Sequence, residues 1–437
     1  MRNEVISRRR FLGLTGAGAI GLGATALIKA KETHAVSHVG ANDKIHLGFV
    51  GLGGMGRSHM DRLVNHKDVV IVAGTDPDAQ RRRAAKNFAA SQGKEISTYI
   101  DYREMLESHP EIDAVFVATP DHWHALASID SIRAGKDVYC EKPLALTIDE
   151  GKKMVAAARR FGRIVQMGTQ QRGDQGHFCH ACELVRNGRI GELERVVCYF
   201  GANPHHGFVA NEEPPPYLDW EYYLGPAPFR PYNRLIHPYN FRFFRDFSGG
   251  LLTDWGVHLF DIAQWGAAKD FTSPKRIEAE YKMYRDNMYD FPATSLIHYD
   301  YGDVKLEWHQ GTDIQFEAGQ DYGTKFYGTE GEVFVNRGGY TARNKLGNPI
   351  NEVLGVNDER LYHTNSHHQN FFDSVRNRTL PICDIATGHR ATAISHLGNI
   401  ATWLGRPVDY DPVNEFFPGN TAANMMMTKP YRAPWHM

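Results

Sequence analysis

The chain has 437 residues, 42% of them hydrophobic and 23% charged, and a formal net charge of −2. A single hydrophobic core rarely serves a chain of this length, so two domains are expected. No long run of like charge appears, which argues against nucleic acid or an anionic membrane surface as a partner.

In chain order, residues 1–41 read as an export leader and linker. Ser7-Arg8-Arg9-Arg10-Phe11-Leu12 precedes an apolar stretch from Gly13 to Ile28 that contains five glycines. A twin-arginine pair before a weakly hydrophobic segment predicts a Tat signal, read by the Tat translocase. A membrane anchor is the alternative, and the glycines weigh against it. The Tat route carries folded proteins, so the implied location is the periplasm or another extracytoplasmic space, with any cofactor loaded beforehand.

Residues 42–168 predict a Rossmann domain. A buried strand over 44–50 runs into Gly51-Leu52-Gly53-Gly54-Met55-Gly56, followed by a helix over 57–65 and a second strand over 69–73 that ends at Asp76. Gly51, Gly53 and Gly56 have the spacing and the strand-to-helix context of a dinucleotide turn. The glycines let the backbone approach a pyrophosphate at the helix N-terminus, and Asp76, 20 residues past Gly56, suits the adenosine ribose hydroxyls. A carboxylate there favours NAD; NADP is the alternative if Arg81, Arg82 or Arg83 reaches a 2′-phosphate. Further strands are predicted over 113–118, 136–140 and 164–168, with helices opening at Thr119-Pro120-Asp121-His122 and spanning Ile148–Phe161. Thr119, Glu141 and Gln170 fall at strand C-terminal ends, where ligands of open parallel sheets bind. Arg172, just beyond, faces the same cleft if the register holds, as a substrate-binding group or a surface ion pair. The cysteines (Cys140, Cys179, Cys182, Cys198, Cys383) lack disulfide or zinc spacing and read as buried small side chains. The aromatic-rich stretch 204–247 reads equally as a ligand cleft or a packed insertion, and His205-His206 and His367-His368 as surface histidines.

Two motifs together are more specific. Glu141-Lys142-Pro143 ends a Rossmann strand, and Gly249-Gly250-Leu251-Leu252-Thr253-Asp254-Trp255-Gly256-Val257-His258-Leu259-Phe260-Asp261 follows much later. The chain after Asn42 resembles the glucose–fructose oxidoreductase/inositol dehydrogenase (Gfo/Idh/MocA) family, including the helical segment 367–404. The resemblance implies a second domain, here 169–437, on a large, mostly antiparallel sheet packed against the Rossmann domain. Period-two runs at Leu193–Phe200, 276–284, 295–300, 305–309 and 325–327 agree. It also implies a homo-oligomer, a dimer or tetramer, formed through the open face of that sheet.

By the same resemblance, Lys142 polarises the substrate oxygen beside the nicotinamide, His258 is the general acid/base, Asp254 is its substrate-binding neighbour, and Thr119, Pro120 and His122 touch the cofactor. The four-residue spacing of Asp254 and His258 puts both on one helical face; Asp261 shares that face, but no metal is expected. The implied activity is hydride transfer between a tightly bound NAD (NADP possible) and a sugar, polyol or sugar derivative. An NAD-dependent glycosidase working by oxidation, elimination, water addition and reduction is the alternative. Retention of Lys142 favours the dehydrogenase.

Overall fold

Short, almost uninterrupted apolar runs such as Ala114-Val115-Phe116-Val117 suit strands covered on both faces. The computed structural model describes residue 40, residues 43–314, 316–351 and 353–437; the expected export leader lies outside the described residues. Strands β1 (Ile45–Val50), β2 (Val69–Thr75), β3 (Ser97–Tyr99), β4 (Ala114–Val117), β5 (Asp137–Cys140) and β6 (Val165–Met167) form one parallel sheet, ordered β3-β2-β1-β4-β5-β6. Helices α1 (Gly54–Leu63), α2 (Ala79–Ser91), α3 (Tyr102–Ser108), α4 (Asp121–Arg133) and α5 (Ile148–Phe161) make the crossovers. The strand order reverses between β1 and β4, which opens a crevice at their C-terminal ends. The α5 bounds match the sequence expectation because local chemistry sets them. Thr147 and Glu150 form a capping box, and left-handed Gly162 stops the helix.

The second half contributes α6 (Gly176–Arg186), β7 (Leu193–Phe200), α7 (Trp220–Leu224), α8 (Leu251–Asp254), α9 (Gly256–Gly266), β8 (Arg276–Lys282), β9 (Thr294–Asp300), β10 (Lys305–Gln310), β11 (Gly323–Gly328), β12 (Gly331–Asn336), β13 (Gly339–Asn344), α10 (His367–Asn377), α11 (Ile385–Leu404) and β14 (Val408–Asp409). Its eight strands run β13-β12-β11-β7-β10-β9-β8-β14, antiparallel except for the β7–β10 pair. One face packs on α6, α9 and α11. Sequence alternation finds β7 to β11. It misses β3, whose three residues are all half-buried, the two-residue β14, and the β12–β13 hairpin, whose β13 strand buries only Ala342.

The expected helical segment 367–404 is two helices. Arg378 turns left-handed, Pro381 cannot continue a helix, and Asp384 caps the next one. Phe371, Phe372 and Val375 of α10 close the Rossmann core beside Phe116 and Tyr139, whereas α11 lies between the halves, packing on α5 as well as on α9 and β8.

Candidate active site

At the end of β1 the chain turns through Gly51, whose φ of +95° suits only glycine and where a Cβ would lie 2.5 Å from the Ala118 carbonyl oxygen. At Gly56 a Cβ would lie 1.9 Å from the Gly51 oxygen, so helix and turn close-pack only as glycines. Gly53 offers α1 no side-chain cap, and space is open beyond Gly54. The first N–H groups of α1 are therefore directed at an anion site, and these residues fit a dinucleotide pyrophosphate.

Asp76 ends β2 and accepts from the N–H groups of Leu52 and Asp78, both at 2.9 Å. Burial raises its carboxyl above the ordinary value, against the pull of Arg81 and those donors. Arg81 Nη1 lies 3.7 Å from Asp76 and beside Gly53. Arg82 instead donates to the Asp76 carbonyl (2.5 Å), and Arg83 is exposed.

Asp76, Ile100, Tyr102 and Trp123 line a narrow pocket at this end, roofed by Tyr222 and Tyr223. The roof belongs to the second half of the chain. Ala79 N–H donates to the Tyr217 carbonyl (2.8 Å), Asp219 N–H donates to the Pro77 carbonyl (3.2 Å), and Tyr222 stacks on Trp123 with centroids 5.1 Å apart. The aromatic stretch is thus largely a packed insertion with its own small core, yet its edge forms a cleft wall.

The pocket continues into an open cleft lined by Gly53, Gly54, Met55, Thr119, Pro120, Glu141, Lys142, Gln170, Asp254 and His258. Lys142 Nζ donates to the Asp254 carbonyl (3.1 Å) and pairs with its carboxylate. The other Asp254 oxygen is 3.4 Å from Arg242 Nε. Burial acts to raise the Asp254 carboxyl, but Lys142, Arg242 and Arg337 outweigh it and hold it below the ordinary value. Asp254 therefore fixes Lys142 and is not hydrogen-bonded to His258. Asp254 ends α8 and His258 belongs to α9, but Trp255 between them keeps right-handed helical dihedrals, and both side chains line the cleft as the spacing predicts.

His258 is only 3% exposed, and its Nδ1 has no hydrogen-bond partner. Burial, then the charges of Lys142, Arg337 and His367, push its pKa well below 6.5. The ring is neutral at physiological pH and can accept a proton.

Three sequence expectations need correction. Arg172 does not face the cleft. It is 4% exposed, pairs with Asp261 (2.8 Å) and Asp270, and so locks the β6 end to α9. Asp261 accordingly turns away from Asp254 and His258. His122 does not line the dinucleotide cleft; its Nε2 bonds the Tyr223 carbonyl (2.9 Å), and it lines a separate cavity with Glu150 and Lys429. His367 and His368 are not surface residues. His367 Nε2 bonds the Met167 carbonyl (3.0 Å), and His368 Nε2 lies 2.8 Å from His59 Nδ1. His59 in turn bonds Glu141 (2.8 Å), so that carboxylate is tied to α1 while lining the cleft. His205 is exposed, as expected, and all five cysteines are buried and free.

Sequence reasoning missed Tyr239, Arg242, Trp255 and Arg337, which also line the cleft. Trp255 sits inside the quoted motif, and Tyr239 and Arg242 inside the aromatic stretch. Arg337 is in the β12–β13 turn and carries no local signal.

Two family models match the chain: an oxidoreductase-family NAD-binding Rossmann fold over residues 45–169, and an oxidoreductase-family C-terminal alpha/beta domain over residues 205–437. It is 29% identical over 222 residues to the myo-inositol 2-dehydrogenase of Thermotoga maritima, covering 51% of this chain and 54% of that protein. It is 32% identical over 207 residues to a glycosyl hydrolase family 109 protein of Shewanella, covering 43% and 44%. The chain spans about half the length of the curated relatives it matches. Its fold is similar to that of the WlbA dehydrogenase of Bordetella pertussis, solved with NADH and UDP-GlcNAcA, with TM-score 0.62 and 19% identity over 84% of this chain and 99% of that one. The two domain matches, in this order and over most of the chain, make it a member of the GFO_IDH_MocA oxidoreductase family.

Proposed function

We propose that this protein is an NAD-linked oxidoreductase that passes a hydride between a tightly held nicotinamide cofactor and a secondary alcohol of a sugar, polyol or sugar derivative. The observation that carries this reading is Lys142, pinned by Asp254, sharing one cleft with neutral, unpartnered His258 and the glycine turn. When bound, NAD supplies the hydride acceptor. Gly51, Gly53, Gly54, Met55 and Gly56 cradle the pyrophosphate. Asp76 takes the ribose hydroxyls, which favours NAD over NADP, and Thr119, Pro120, Glu141 and Gln170 flank the nicotinamide end. His258 accepts the hydroxyl proton, and Lys142 donates a hydrogen bond to the oxygen as charge develops there. Asp254 holds Lys142 in place and offers its remaining capacity to a substrate hydroxyl.

The roof over the adenosine pocket supports slow cofactor loss. Opening it breaks two backbone hydrogen bonds and the Tyr222–Trp123 stack. Retention suits residues 1–41 acting as a Tat leader, since an exported enzyme meets no free NAD pool. Likeness to the family 109 protein keeps the glycosidase reading alongside; Lys142 favours net oxidoreduction.

Mass spectrometry of what the denatured protein releases tests the core of this reading. NAD at near one equivalent is expected, and the Tyr222→Ala protein should lose it on dialysis. Release of no nucleotide, with no NADH formed across a broad sugar and polyol panel, overturns the proposal. Aglycone release from chromogenic glycosides without net NADH would replace it with the glycosidase.

A further inference from the structure

The cations of the cleft are unevenly paired within the protein. At the nucleotide end Arg81 lies by Asp76 and Asp78, while Glu141 bonds His59 and Asp121 accepts from Ser248 (2.5 Å). At the substrate end Lys142, Arg242 and Arg337 all act on Asp254, while Asp121 also acts on Arg242 and Glu141 on Lys142. Lys142 takes one oxygen of that group, and Arg242 is placed 3.4 Å from the other without hydrogen-bond alignment at Nε. Arg337 has no acidic partner within 4.0 Å among the described residues. Its guanidinium lies over the Trp255 ring at 4.5 Å. Burial works against its charge and lowers its pKa.

Arg337 is thus left without a carboxylate within 4.0 Å among the described residues, and Arg242 Nε without a hydrogen-bond partner. A half-buried cation without a carboxylate costs free energy unless a ligand anion meets it. A neutral sugar would leave that cost in place. We propose, resting on the oxidoreductase reading above, that the substrate is an anionic sugar whose carboxylate or phosphate is received by Arg337 and Arg242. Lys142 and His258 then act on a hydroxyl elsewhere on the same ring. Arg337 comes from the β12–β13 turn and Arg242 from the insertion, so the anion would bridge two separately folded walls of the cleft. This assigns to Arg337 and Arg242 the substrate-binding role that sequence position offered as one reading of Arg172.

Matched triplets test this on the intact protein: glucose, glucuronate and glucose 6-phosphate, with the galactose series beside them. Equilibrium binding is read by quenching of tryptophan fluorescence, Trp255 lying in the cleft, and turnover by NADH formation. One anionic member should bind roughly tenfold or more tightly than its neutral counterpart. The preferred member tells carboxylate from phosphate. Raising ionic strength from about 0.02 to about 0.3 M should shrink the preference. Arg337→Met should bring the ratio towards one, Arg337→Lys should keep part of it, and Arg242→Met should act in the same direction.

Equal or tighter binding of the neutral sugars in both series overturns the inference. So does a preference that survives Arg337→Met and Arg242→Met unchanged. Failure of the underlying reading looks different: a protein that releases no nicotinamide nucleotide and forms no NADH with any sugar.

Discussion

At the residue scale the chemistry depends on how neighbours set each side chain's charge. Lys142 is held by Asp254 through both a carboxylate and a carbonyl contact. Replacing it with methionine removes the donor to the developing oxygen charge, and kcat for alcohol oxidation should fall roughly 10²–10³-fold. His258 adds a pH signature. Its pKa lies well below 6.5, so the basic form persists throughout the neutral range and kcat/KM should stay level from about pH 6.5 upward, declining only at more acid pH. Lys142 contributes to that depression, so in the Lys142→Met protein the acid limb should move up in pH. A wild-type profile with its acid limb centred at 6.5, or one unmoved in the variant, would contradict the assignment. Lys142, Asp254 and His258 were legible because they sit in two local motifs. Their pairing was not. Helical spacing put Asp254 and His258 on one side, and both line the cleft, but the charge partner of Asp254 is a lysine 112 residues away.

At the element scale, packing turns the ends of β4, β5 and β6 and the start of α9 into one wall. Arg172 is the clearest example of a residue whose role sequence position misjudged. Asp261 is fully buried, so the guanidinium that answers it is part of the frame. Arg172→Met should destabilise the protein by roughly 3–5 kcal/mol in urea unfolding, because it strands a buried carboxylate. Arg172→Met with Asp261→Leu should recover part of that loss. A single variant as stable as wild type would show that Arg172 is free after all. Element bounds were legible wherever caps or apolar runs set them, as for α5 and β7. The β12–β13 hairpin was not found, because β13 is half-exposed with a single buried apolar residue. Missing that hairpin meant missing Arg337.

Across the whole molecule, many histidines are buried and neutral. Burial pushes His122 down to about 3 and His237 and His396 to about 4, and lowers His258 as well. A folded pKa below the unfolded 6.5 means the unfolded chain binds more protons. The stability these groups contribute is present above about pH 6.5 and is lost as pH falls towards their folded values. A shift of roughly two and a half units is worth ~3 kcal/mol at full protonation. Carboxyls raised by burial, such as Asp261 to about 6, and His124, raised to about 10, oppose this, while carboxyls held low, including Glu141 and Asp254, reinforce it. The melting temperature should therefore drop by several degrees between pH 7.5 and pH 5, and an unchanged value would refute the account. The sequence by itself determined what is local: the glycine turn, the caps, the strand alternation and the two motifs, since each depends on neighbours a few residues apart. Only the tertiary structure decided which charges meet. The Lys142–Asp254 and Arg172–Asp261 pairs, the Tyr222 roof and the approach of Arg337 to Trp255 all join residues distant along the chain. Their energies depend on burial, and burial exists only once the two halves have packed.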